Sequence, residues 1–186
     1  MPRAGLSRAS VVASAAALAD EAGWEALTLT ALADQLGVRQ PSLYKHVAGL
    51  RALRREIRLL ALRELQAVTA QAAVGRSGPD AVEAIALAYR TYAKAHPGRY
   101  AATVVAPPGD DPDLGEAAAV LLSTVTAVLG GFGLRGRDAI DAVRGLRALM
   151  HGFVTLELAG GFALPVDLDE SYRRLVRGFA QSLPRY

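Results

Sequence analysis

The sequence predicts an all-α protein, and three observations carry that expectation. Apolar residues recur at spacings of three and four along nearly the whole chain of 186 residues, with no alternating run long enough to build a sheet. Glycine and proline punctuate these runs into about nine helices. The stretch Leu27 to Leu53, LTLTALADQLGVRQPSLYKHVAGLRAL, spells two short amphipathic helices joined by a Gly turn and then a longer basic helix. The plan is therefore an N-terminal three-helix unit with a helix-turn-helix, followed by a C-terminal helical domain.

The first helix is expected from Ser7 or Arg8 to Ala22, buried along Val11, Val12, Ala15, Leu18 and Ala19, with Gly23 stopping it and Trp24 in the core. Thr28 is placed to N-cap a helix from Leu29 to Leu36, whose Leu29, Leu32, Ala33 and Leu36 form one apolar stripe. Gly37 ends it, and Gly37, Val38 and Arg39 have the length of a helix-turn-helix connection. Pro41 then opens a second helix, where its missing N–H costs nothing. Leu43 and Val47 face inward, which turns Pro41, Ser42 and Lys45 outward, flanked by Tyr44 and His46. Short polar side chains on such a face suit base edges in a major groove, and Lys or Tyr suits phosphate.

A helix from about Gly49 to Ala73 carries Leu53, Ile57, Leu60, Ala61 and Leu65 at helical spacing and connects the two parts. Gly75, Ser77, Gly78 and Pro79 mark the domain boundary, with a helix from Asp80 to about Ala95 that His96, Pro97 and Gly98 break. The loop APPGDDPD, Ala106 to Asp113, is expected to be mobile and separates Arg99 to Val105 from a hydrophobic helix, Leu114 to Leu129. Helices from about Arg137 to Ala159 and from Asp169 to Leu183 complete the chain, giving a head over 5–65 and a body over 79–186.

Charge separates along the chain more clearly than its total of +3 suggests. Residues 1–76 hold ten Lys or Arg against six Asp or Glu, a net +4, and residues 77–186 hold eleven against twelve, a net −1. Arg39, Lys45, Arg51, Arg54, Arg55 and Arg58 face only Glu56 within the basic end. The absence of Cys removes disulfides, thiolate metal sites and a Cys nucleophile together, and fits a reducing bacterial cytoplasm. Arg3 and Arg8 ahead of VVASAAALA imitate a secretion signal, but the run leads directly into Asp20 and Glu21, as an amphipathic helix does. No uninterrupted apolar run approaches the ~18 to 20 residues of a membrane span, so no membrane partner is expected.

GVRQPSLYKHV preceded by LTLTALADQL resembles the helix-turn-helix of the tetracycline-repressor (TetR) family of bacterial transcription regulators, over roughly residues 7–65. The resemblance implies that the first three helices bind operator DNA, that the rest binds a small molecule and forms a homodimer, and that ligand releases the operator. It implies Thr28 on a phosphate, Arg39, Gln40, Pro41 and Ser42 at base edges, and Tyr44, Lys45 and His46 on the backbone or flanking bases. Leu50 stands where the family commonly has Lys, so that phosphate contact is absent or passes to Arg51. Thr30 is shorter than the base-reading side chain some members carry there. LMHGFVTLELAGGF, with HPGRY, also resembles a C-terminal domain type named for a Trp-His-Gly triplet, with Met150 in place of the Trp.

An all-helical enzyme or carrier using the same C-terminal surface is the alternative. Gly131, Gly133 and Gly136 spell GxGxxG, but a helical pattern precedes them where a dinucleotide fold requires a strand. His151 and Glu157 lie about 240° apart around a helix and share no face. His46, His96 and His151 lack metal-ligand spacing, so no metal or cofactor is expected. A pocket for a largely apolar small molecule is the stronger expectation, with Tyr89, Tyr92, Tyr100, Met150, His151 and Phe153 as its candidates. The same C-terminal helices, including the stripe Leu168, Tyr172, Leu175, Val176 and Phe179, equally suit a dimer interface. The sequence leaves pocket and interface undivided there.

Overall fold

A computed structural model of the chain describes residues 6–184. Arg3, from the signal-like pattern, and Gly5, the first residue of the expected head, lie outside the described residues. Eight α-helices and one 3-10 helix follow in order among the described residues, without a strand. They are α1 Arg8–Ala22, α2 Leu29–Leu36, the 3-10 helix Gln40–Lys45, α3 Leu50–Ala73, α4 Gly78–Ala95, α5 Pro97–Ala102, α6 Pro112–Gly130, α7 Gly136–Leu158 and α8 Leu168–Ser182.

In the head, Ser7 caps α1 reciprocally with Ser10, each side chain accepting from the other's backbone N–H at 3.1 and 2.9 Å. Val11, Ala15 and Ala19 of α1 then pack with Leu32, Leu43, Leu53 and Ile57 into one core. Thr28 Oγ1 accepts from Ala31 N–H at 3.1 Å to start α2. Gly37 ends it at φ 65°, ψ 34°, a left-handed cap that an L side chain rarely adopts. Trp24 is not in this core. It lies partly buried at the edge because Gly23 turns the chain off the inward face, and Arg54 covers the indole at 5.2 Å.

The second helix of the reading motif is a 3-10 helix, and this changes which residues share a face. With about three residues per turn, side chains three apart eclipse. Leu43 therefore points inward with half-buried Gln40 and His46 on its row, while Pro41 with Tyr44, and Ser42 with Lys45, form two rows toward solvent. Pro41 occupies the first turn as expected.

The 24 residues of α3 make a rod about 36 Å long that belongs to two cores. Leu53 and Ile57 sit in the head, whereas Leu65 packs with Tyr92, Tyr100 and Val154 of the body, and Leu59 and Leu62 pack with Leu114. The body's main core joins Val82 and Ala86 of α4, Leu129 of α6, Leu146, Met150 and Phe153 of α7, and Tyr172 and Val176 of α8. Tyr172 is fully buried and donates its hydroxyl to the Ala86 carbonyl at 2.9 Å.

The segment after His96 is not plain coil: α5 forms there, and Gly98 lies so close to α1 that a Cβ would sit 2.0 Å from the Ala19 carbonyl oxygen. The following loop is also not free. Asp111 N-caps α6 through Leu114 N–H at 3.2 Å, and Arg55 of α3 holds Asp111 with two bonds of 2.6 and 2.7 Å and Asp113 with one of 2.7 Å. One helix meets the length and mean hydropathy of a membrane span, although polar residues interrupt its apolar run. Pro112–Gly130 does so because its Leu, Val and Ala raise its mean hydropathy, and it carries Asp113 and Glu116 near its start.

Arg90 is 6% exposed and reaches Glu157 through two bonds of 2.7 Å and Asp169 at 2.8 Å; Lys94 adds a bond to Glu157 at 2.6 Å. Arg90 first, then Lys94, holds the Glu157 carboxyl below its usual 4.5, and Arg90 likewise lowers Asp169. A depressed carboxylate binds its proton more readily unfolded. Its contribution to stability is therefore full above the ordinary carboxylate range and is lost as pH falls through the folded value. The urea midpoint should accordingly drop below about pH 4.5, and Glu157→Gln should flatten part of that drop while lowering stability at pH 7. An unchanged acid limb in the variant would remove this network from the account.

Candidate functional site

The head presents one polar surface. Arg39, Pro41, Tyr44, Lys45 and Arg51 are exposed, and Ser42 and Gln40 are half-buried beside them. Thr30 Oγ1 donates to Gln40 Oε1 at 3.3 Å, and Gln40 Nε2 reaches Tyr44 Oη at 3.5 Å, so a short chain of polar groups runs from α2 across the 3-10 helix. Thr28 is exposed at the N-terminus of α2, where backbone N–H groups also point outward. His46 stands apart. It borders a shallow groove with Arg8, Ala52 and Glu56, because the 3-10 geometry rotates it away from the Pro41–Tyr44 row.

The basic cluster expected from the sequence divides in two. Arg39, Lys45 and Arg51 have no carboxylate within ion-pair distance among the described residues and remain available. Arg54, Arg55 and Arg58 are occupied: Arg54 donates to the Trp24 and Glu25 carbonyls, Arg55 clasps Asp111 and Asp113, and Arg58 donates to the Val105 carbonyl. The Arg55 guanidinium holds the Asp111 carboxyl below the ordinary range, since its hydrogen bonds favour the charged form. Sequence patterning missed these roles because the partners are remote in the chain, about thirty residues before Arg54 and some fifty after Arg55 and Arg58.

A cavity of about 210 Å³ opens among α3, α4, α6, α7 and the loop after α5. Leu62 and Leu65 of α3, Ile85 of α4, and Leu121, Leu122 and Val125 of α6 supply apolar walls, and Val104 to Pro107 form one side. Of the expected residues, Tyr89, Met150 and His151 line it. Tyr100 lies just behind, its hydroxyl bonded to Tyr89 Oη at 2.9 Å and to His151 Nδ1. Burial pushes both phenols above their ordinary pKa, so they stay protonated.

Tyr92 and Phe153 do not reach the cavity. The Tyr92 hydroxyl donates to Glu64 of α3 at 2.9 Å, and Phe153 stacks against Phe162 and Tyr172 in the main core, with ring centroids 4.8 and 4.9 Å away. Both lie on helix faces that packing partners claim, which a helical period alone does not reveal. Arg147 and the loop Val104–Pro107 were not foreseen as lining, because a surface-like Arg and a Pro-Gly loop give no apolar signal.

Two joints connect cavity to head. Arg55 and Arg58 tie the cavity-side loop to α3, whose first turn follows the 3-10 helix after Val47, Ala48 and Gly49. At the other end of α5, Asp20 of α1 accepts from Arg99 N–H at 2.8 Å and contacts His96 Nδ1 at 3.2 Å.

A helix-turn-helix head on a helical body with an internal cavity defines a DNA-binding protein of the ligand-sensing kind. Two family descriptions match the chain: "Bacterial regulatory proteins, tetR family" over residues 11–57 and "Tetracyclin repressor-like, C-terminal domain" over residues 82–179. An uncharacterized HTH-type transcriptional regulator of Mycobacterium tuberculosis is 40% identical over 97% of this chain and 83% of its own length. A second, from Bacillus subtilis, is 34% identical over 98% of this chain and 95% of its own. Among solved structures, a protein of unknown function from Rhodococcus sp. RHA1 shares the fold at TM-score 0.82 and 23% identity over the full length of both chains. A TetR variant from Acinetobacter baumannii in complex with minocycline does so at TM-score 0.70 and 22% identity, over 95% of this chain and 96% of that one. The chain belongs to the TetR family of bacterial transcriptional regulators. It is a DNA-binding regulator and not an enzyme, as its relatives are.

Proposed function

We propose that the protein acts in the cytoplasm as a homodimeric repressor that occupies a palindromic operator and is released by a small molecule entering the cavity. The head over 5–65 reads DNA, and the body over 79–186 senses and dimerises. The observation that carries this reading is that the cavity wall, Val104 to Pro107, is the same loop that Arg55 and Arg58 fasten to α3. A ligand that displaces the loop thereby biases the position of the helix that carries the head.

Ile140, Ala148 and Leu156 of α7 and Leu175 and Gly178 of α8 are exposed and offer small apolar surfaces to a second copy. Tyr172 and Val176 serve the subunit's own core instead. Two heads one duplex turn apart multiply the few base pairs that one head reads. A sedimentation mass of one chain at micromolar concentration, with operator binding intact, would contradict the dimer.

Lys45→Ala should weaken all duplexes about equally and reduce the salt slope by roughly one unit per head. Gln40→Ala should instead relax discrimination at one base position by ~1 to 3 kcal/mol. Identical behaviour of the two variants across a panel of mismatched operators would remove the division between positioning and reading residues. The reading as a whole is tested by fluorescence anisotropy of a labelled operator: a cavity ligand should change its affinity by about 5 to 150-fold, and operator should change ligand affinity by the same factor.

A further inference from the structure

We propose that the cavity takes a small organic monoanion, with an apolar body the size of one ring and a short substituent, and with its carboxylate or equivalent group held by Arg147. This rests on the sensing role proposed above and specifies its ligand. Size sets the first bound. An apolar cavity of about 150 Å³ holds one benzene, so about 210 Å³ holds one ring with a short extension.

Charge sets the second. Arg147 is the sole formally charged residue lining the cavity, and no Asp or Glu lines it. Arg147 spends Nη2 on the Val104 carbonyl at 2.8 Å, and among the described residues no acceptor takes its Nε or Nη1. The carboxylates of the surrounding helices and loop pair elsewhere: Asp111 with Arg55, Glu64 with Arg99, and Glu157 with Arg90 and Lys94. Arg147 thus borders a mostly apolar cavity with its side chain exposed and without a counter-ion, placed to offer a charge-assisted hydrogen bond to a group at the cavity mouth. Its field reaches Tyr89 and Tyr100; Tyr89 lines the cavity and its hydroxyl is chained through Tyr100 to His151, which leaves at most one hydroxyl hydrogen for a ligand. A cation would meet a like charge there, and a neutral molecule would leave the guanidinium to solvent.

The pairing also has a mechanical consequence. A carboxylate that takes the Nε–Nη2 fork shares Nη2 with the Val104 carbonyl, since that nitrogen carries two hydrogens, and so bears on one of the loop's fastenings beside the one that Arg58 makes at Val105. Binding of the anion is thereby coupled to the loop.

Phenylacetate, phenylacetamide and phenethylamine share a ring and chain and differ in charge, so they serve as probes in calorimetric titration of the intact protein. Phenylacetate should bind at least about tenfold more tightly than the amide, and the amine weakest. Arg147→Gln keeps a donor for the Val104 carbonyl but no charge; it should erase the advantage of the acid, and Arg147→Lys should restore part of it. Equal affinity for acid and amide, or an advantage that survives Arg147→Gln, overturns the proposal. Leu121→Trp, which fills the cavity and is confirmed folded by its thermal transition, separates the two levels. If the amide or amine binds best and is lost in Leu121→Trp, the sensing cavity stands and the anion falls. If no probe binds, or if binding survives Leu121→Trp, both fall.

Discussion

Gly98→Ala is expected to destabilise the protein by roughly 1 to 3 kcal/mol and to weaken operator binding at the same time. The new Cβ would lie 2.0 Å from the Ala19 carbonyl oxygen, 2.2 Å from its carbon and 2.6 Å from Asp20 N. All three are backbone atoms, which cannot rotate aside as a flexible side chain does. Contact at ordinary van der Waals distance requires α1 and α5 to separate by more than about 1 Å. That movement also breaks the bonds from Asp20 to Arg99 and His96, which fasten the head to the body. Calorimetric unfolding and operator anisotropy measure the two effects. Gly115→Ala supplies the contrast, because its Cβ meets nothing within 4 Å inside α6, and helix propensity should raise stability by about 0.5 to 1 kcal/mol. A Gly98→Ala protein as stable as the parent would mean that the α1–α5 contact is slack.

The second large effect is expected at the clasp. Arg55→Gln removes the charge that holds both Asp111 and Asp113, leaving Asp111 its cap on Leu114 but no link to α3. Operator affinity without ligand should then stay within a few-fold of the parent, while the response of that affinity to a cavity ligand shrinks toward none. The reason is thermodynamic: a ligand shifts the head only through contacts that differ between the two states, and this clasp is one of the two fastenings of α3 to the cavity loop. Measuring ligand and operator affinity in a four-corner cycle reads the coupling directly. Unaltered coupling in Arg55→Gln would move transmission to the α1–α5 joint.

Local signals in the chain were read correctly where the physics is local. Thr28 capping α2, Gly37 in the left-handed conformation and Pro41 in the first turn of the following helix each depend on a few neighbouring residues; the bounds of α2 follow from Thr28 and Gly37, and those of α1 from Ser7 and Gly23. The 3-10 character of Gln40–Lys45 was not legible, since six residues do not distinguish a period of three from one of 3.6. Arg54, Arg55 and Arg58 read as a free basic face because their partners are remote in sequence. For the same reason the loop before α6 read as mobile. Tyr89, Met150 and His151 were separated from Tyr92 and Phe153 only by which neighbours pack on each helix face. Tyr172, assigned to a seam between subunits by its apolar spacing, instead hydrogen-bonds inside the subunit to Ala86.

Arg39 to Lys45, with Arg51, form the proposed DNA-reading surface on a paired head. The most direct measurement is affinity for a duplex bearing inverted half-sites recovered by selection from random DNA, titrated against salt. The account predicts an enriched palindrome and a log affinity that falls linearly with log salt, at a slope near 0.9 per phosphate contact, made shallower by Lys45→Ala. A flat salt response with no enriched sequence would contradict it.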